Sequence, residues 1–106
     1  MNENKLYISH LYDYYGELLT EKQKYAIELY YNDDLSLSEI ADTIGITRQG
    51  VRDQLKHAEK FLISCEQKLG FASKLAKALD LAEQIQNDTN QKEIFNKASS
   101  IAELLS

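Results

Sequence analysis

The chain of 106 residues is of single-domain size, and its 43% apolar share is what an ordinary globular core requires, which argues against a disordered chain. Twelve basic against 17 acidic residues leave a net charge of −5, so overall charge excludes wholesale coating of nucleic acid. With no proline and only four glycines, the chain lacks the turn residues that sheets need, and an all-α fold is predicted.

The first predicted helix runs from Leu6 to Leu19, with Leu6, Tyr7, Leu11, Tyr14, Tyr15, Leu18 and Leu19 as its apolar stripe and Gly16 weakening its last turn. Thr20 followed by Gln23 forms a capping box for a second helix, whose stripe is Tyr25, Ala26, Leu29 and Tyr30 and which ends at Asn32-Asp33-Asp34. Ser36 followed by Glu39 repeats that signature and opens a short third helix, with Leu37, Ile40, Ala41 and Ile44 inward and Gly45 as its stop. Thr47 caps a fourth helix whose inward positions Val51, Leu55, Ala58 and Leu62 persist until Gly70. At about 22 residues this helix is ~33 Å long, too long for a compact trihelical unit alone. A fifth helix carries Phe71, Leu75, Leu79 and Ala82 and reaches about Gln86; Asn87-Asp88-Thr89-Asn90 is a polar break. A sixth carries Ile94, Phe95, Ala98, Ile101, Leu104 and Leu105. Residues 1–70 are assigned to a helix-turn-helix domain with its motif at 36–60, and residues 71–106 to a C-terminal helical extension of the same domain.

The motif rests on steric requirements. Two helices crossing steeply across a short turn need a small residue where they approach, a residue tolerant of positive φ in the turn, and an apolar plug after it. Ala41, Gly45 and Ile46 have that order, and Val51 follows at the spacing of the DNA-binding helix-turn-helix. Outward on the fourth helix, Arg48, Arg52, Lys56 and Lys60 recur every four residues and drift by only ~40° per step, forming one basic stripe. Residues 47–60 carry a charge of +2, whereas residues 1–34, 35–46 and 61–106 carry −4, −2 and −1. Only the proposed recognition segment is positive, which confines attraction for phosphates to one helix. Arg48 and Gln49 are residue types that read base edges, and Thr47 at the helix N-terminus suits a phosphate. Asp53 opposes phosphate unless it accepts from cytosine or pairs with Arg52 or Lys56. Gly50 lowers helix propensity by ~1 kcal/mol relative to alanine.

Three stretches, Glu17-Leu-Leu-Thr-Glu-Lys-Gln, the run from Glu28 to Ala41, and Thr47-Arg-Gln-Gly-Val-Arg-Asp, resemble the YlxM family of small bacterial helix-turn-helix proteins, and more distantly the region-four domain of sigma factors. The resemblance covers about residues 6–70. It implies an all-helical DNA-binding protein with a regulatory or accessory role around protein targeting, because members are commonly encoded beside the GTPase of the signal recognition particle. It leaves DNA, RNA and protein open as ligands. Gly50 and Arg52 stand where the family usually has alanine and an aromatic, and the segment after Gly70 matches only in helical character.

Elsewhere the chain carries no catalytic or metal signature. His10 and His57 lack partners at ligand spacing, no glycine-rich phosphate loop is present, and Cys65 reads as a packed thiol, so neither an enzyme nor a cofactor is expected. All seven tyrosines precede Asn32 and read as core and rim packing, and Asp33-Asp34 as a turn. Met1-Asn2-Glu3-Asn4 lacks the pattern of a secretory signal and no run approaches the ~20 apolar residues of a membrane span, so a cytoplasmic location without a membrane partner is expected. The leading reading is a non-enzymatic DNA-binding regulator using Thr47, Arg48, Gln49, Arg52, Lys56 and Lys60; the competing one is an adaptor that contacts the signal recognition particle RNA or its GTPase. The apolar positions after Gly70 predict either a homodimer or a fold-back of the last two helices onto the first and fourth.

Overall fold

A computed structural model describes residues 2–88 and 90–105; Met1, Thr89 in the predicted polar break, and Ser106 lie outside the described residues. The described residues form six α-helices and no strand: α1 (Asn2–Tyr15), α2 (Glu21–Ile27), α3 (Leu37–Ile44), α4 (Arg48–Leu69), α5 (Phe71–Asn87) and α6 (Gln91–Leu105). The chain divides into two compact units, Met1–Leu69 and Gly70–Ser106.

In the first unit α1, α2 and α3 all pack on α4. α1 ends at Tyr15 and Gly16–Leu18 forms a 3-10 turn, so the predicted helix to Leu19 breaks where the glycine stands. Its buried face is Ile8, Leu11 and Tyr15, followed by Leu19. Leu6 is 80% exposed, and Tyr7 and Leu18 also face outward, because the seam is built on the three- and four-residue steps from Ile8 and not from Leu6. The capping box at Thr20 forms as expected, Gln23 N–H donating to Thr20 Oγ1 and Thr20 N–H to Gln23 Oε1. α2 buries Ala26 and Ile27 and then passes into a π-helical turn, Glu28–Asn32, closed by Asp33 N–H donating to the Glu28 carbonyl. Within the wider turn Leu29 is buried and Tyr30 half-buried, while Tyr25, earlier on α2, is exposed and lies outside the buried pair Ala26 and Ile27.

Tyrosine hydroxyls tie this layer together. Tyr12 donates to Glu28 and Tyr15 to Glu66, each at 2.6 Å, and Tyr31 donates to Glu59 on α4. Burial, then the bonded carboxylates, hold the Tyr12 and Tyr31 hydroxyls protonated well above the usual tyrosine range. Lys5 Nζ pairs with Asp34 at 3.0 Å and lies 4.8 Å from the centroid of the Tyr30 ring. This fastens α1 to the turn before α3, where Asp34 adopts φ +55°.

The second unit is a two-helix hairpin in which α5 and α6 pack on each other. Asn90 caps α6, its Oδ1 accepting from Lys92 N–H at 3.0 Å, and Asp88 pairs with Lys97 at 2.7 Å. Burial departs from the predicted stripes. Ala72 and Ala78 are the buried positions of α5, while Phe71, Leu79 and Ala82 are exposed and Leu75 is half-buried. No described residue of α6 is fully buried: Ile94, Ile101 and Leu104 are half-buried, Ala98 and Leu105 exposed, and Phe95 is 71% exposed. Two helices alone share a single seam, and only small residues sit deep within it.

Candidate nucleic-acid interface

The turn between α3 and α4 is built from local signals. Ser36 and Glu39 form the predicted capping box, with Glu39 N–H donating to Ser36 Oγ and Ser36 N–H to Glu39 Oε1. Acceptance from the Ser36 backbone holds the Glu39 carboxyl below the usual carboxylate range. Ile40 and Ala41 are buried against α4, whereas Leu37 and Ile44 are half-buried. At the other end Gly45 adopts φ +84°, and Ile46 N–H donates back to the Ala41 carbonyl at 3.2 Å, the six-residue closure of a Schellman turn. Ile46, expected as an apolar plug, is 41% exposed; it leans instead along Gly50, where its Cδ1 stands 3.4 Å from the place a Cβ would occupy. Thr47 caps α4, accepting from Gly50 N–H at 3.0 Å. α4 then runs 22 residues with Val51, Leu55, Ala58 and Leu62 buried, as the periodicity predicts, and Gly70 at φ +61° ends it.

This frame sets the basic residues on the side of α4 away from the buried seam. Arg48, Gln49, Arg52, Asp53, Lys56 and Lys60 are all exposed. Thr47, Arg48, Gln49 and Arg52 line one notch together with Ser36, Leu37 and Ser38 at the start of α3. Arg52 also borders an adjoining groove with Leu37, Leu55, Lys56 and Glu59. Lys60 lies one turn beyond and lines neither. The three α3 residues were not among the candidates from sequence. Their signal was present in the Ser36 capping box, since it marks a helix start and the crossing of α3 over α4 brings that start beside Arg52.

Two acids interrupt the stripe, and each has a partner that is not a cation. Glu59, between Lys56 and Lys60 in sequence, accepts from Tyr31. Asp53 Oδ1 accepts from Gln49 Nε2 at 3.0 Å, and among the described residues no ion pair joins Asp53 to Arg52 or Lys56. Four cations therefore remain exposed and outside the described ion pairs, beside a helix N-terminus that presents backbone N–H groups. Such an arrangement suits an extended polyanion. Among the described residues no group of three His, Cys, Asp or Glu gathers to hold a metal ion, and no helix is long and apolar enough to cross a membrane.

Residues 2–101 match the family described as "Putative helix-turn-helix protein, YlxM / p13 like", designated UPF0122. A UPF0122 protein of Desulforamulus reducens is 56% identical over 69 residues, 65% of this chain and 59% of that relative. One from Clostridium novyi is 51% identical over 72 residues, 68% of this chain and 63% of the relative. A third, from Caldanaerobacter subterraneus subsp. tengcongensis, is 45% identical over 85 residues, 80% of this chain and 73% of the relative. The chain thus spans about three fifths of the length of the first two relatives.

Proposed function

The chain belongs to the UPF0122 family of helix-turn-helix proteins, and from that premise we propose that it is a non-enzymatic, cytoplasmic regulator that binds duplex DNA through the exposed face of α4. The observation that carries this reading is the local reversal of charge: in an acidic chain, four exposed cations lie every four residues along the second helix of the motif. In this reading α4 enters the major groove, with Arg48, Gln49 and Arg52 at base edges. Lys56 and Lys60 follow the phosphates, and Thr47 with the start of α3 meets the backbone at the helix end.

A mobility-shift titration at low salt, with a random-sequence duplex as probe, tests it. Arg48→Ala combined with Arg52→Ala is expected to weaken binding about tenfold or more, whereas Lys74→Ala with Lys77→Ala, on α5, leaves it unchanged. Equal affinity of the two double variants contradicts the assignment of the interface. Retention on signal recognition particle RNA, or on its GTPase, without any affinity for duplex DNA would instead support the adaptor. We further propose a homodimer through the α5–α6 hairpin, supported by the exposure of Phe71, Leu79, Phe95 and Leu105. A twofold pair would supply two recognition helices for half-sites about one helical turn apart.

A further inference from the structure

Of the two carboxylates within the basic stripe of α4, Glu59 is half-buried and taken by Tyr31, whereas Asp53 is exposed and engaged by an amide. Gln49 and Asp53 stand four residues apart, both exposed, with Arg48 before them and Arg52 between them in sequence. Gln49 has two amide hydrogens and gives one to Asp53 Oδ1. Asp53 Oδ2 and Gln49 Oε1 remain, two acceptors against one remaining amide hydrogen. Phosphate oxygens are acceptors carrying negative charge, so an acceptor-rich pair gains nothing from the DNA backbone and is repelled by it. Donors that a carboxylate meets in the major groove are the exocyclic amines, cytosine N4 and adenine N6. The adenine amine is flanked by its own N7 and by thymine O4, both acceptors. The cytosine amine has an acceptor, guanine O6, on one side only, so a carboxylate meets less repulsion there.

We propose that the Gln49–Asp53 pair is a specificity-determining element that selects a C·G base pair by accepting from cytosine N4. The inference rests on α4 being the major-groove helix. It accounts for an acid within a basic stripe, since Asp53 lowers affinity for DNA in general and returns it at one base pair. Gln49, and not a neighbouring cation, engages the exposed carboxylate, so the amide positions it.

The test is selection of binding sites from duplex DNA with a randomised core, using the full chain and its Asp53→Ala, Asp53→Asn and Gln49→Ala variants. Each exchange is on the exposed face, and matched thermal midpoints establish that the variants fold. The parent is expected to enrich cytosine at one position with roughly tenfold discrimination. Asp53→Ala should lose that enrichment while binding the unselected pool several-fold more tightly. Asp53→Asn should move the preference to adenine, whose N6 and N7 an amide engages together. Gln49→Ala should weaken the cytosine preference without replacing it. Base preferences unchanged in both Asp53 variants would overturn the inference and leave the DNA-binding reading standing. Enrichment of adenine by the parent would overturn the choice of cytosine. Failure of every protein to retain the pool would overturn both readings.

Discussion

Gly45 and Gly50 stand five residues apart and are glycine for different reasons. Nothing lies within 4 Å of a Cβ at Gly45, so the cost of a side chain there is the left-handed backbone at φ +84°, about 1–2 kcal/mol and more for a β-branched residue. The glycine answers to the positive φ that the turn requires and not to a neighbouring atom. At Gly50 a Cβ would stand 3.2 Å from Thr47 Oγ1, a tight contact that offsets much of the ~1 kcal/mol gain in helix propensity from alanine. Urea titration should show Gly45→Val losing about 2 kcal/mol and Gly50→Ala staying within about 1 kcal/mol of the parent. Equal losses would remove the support for the glycine turn. The tyrosines make a second residue-scale prediction. Tyr31→Phe leaves the half-buried Glu59 without its donor and should cost about 1 kcal/mol at neutral pH. The folded Tyr12 and Tyr31 hydroxyls ionise above the unfolded value of ~10, so their contribution is complete below that pH and declines as pH rises through and beyond it. Stability measured by circular dichroism across that range should fall less steeply in Tyr31→Phe than in the parent.

Elements whose limits are written in neighbouring residues were legible in the sequence. Ser36 with Glu39, Thr20 with Gln23, Thr47, Gly45 and Gly70 each act within a few residues, and the structure realises all of them. Ser36→Ala should therefore lower stability by about 1 kcal/mol, measured by thermal or urea unfolding, and a change near zero would contradict the cap assignment. The π-helical turn was not legible, because its reason lies far away in sequence: the widened turn aims Tyr31 at Glu59, 28 residues later. Nor was the face of α1, where a stripe that counts tyrosine as apolar also accepts Leu6 and Tyr7 and passes over Ile8. Amphipathic rings blur hydrophobic periodicity. At the candidate interface, the basic stripe followed from spacing alone, whereas the Ser36–Ser38 wall and the Gln49–Asp53 bond required the crossing of two helices and the rotamers on one of them.

At the scale of the molecule, composition predicts an all-α chain, and the six helices of the described residues bear it out. The α5–α6 hairpin exposes Leu79, Phe95 and Leu105, apolar surface that the proposed homodimer would bury. Sedimentation at micromolar concentration should find two chain masses, reduced to one when Leu75 and Leu79 are both replaced by polar residues; a single chain mass unaffected by that exchange would sink the dimer. The central claim, that α4 is a nucleic-acid-binding helix, is tested most directly by the salt dependence of binding to duplex DNA, followed by fluorescence anisotropy. Each phosphate neutralised contributes roughly −0.9 to the slope of log affinity against log salt, so the four-cation stripe predicts a slope of about −3 to −4 per chain, halved in Arg48→Ala with Arg52→Ala. Affinity that does not fall as salt rises, or a slope that the two exchanges leave unchanged, would contradict it.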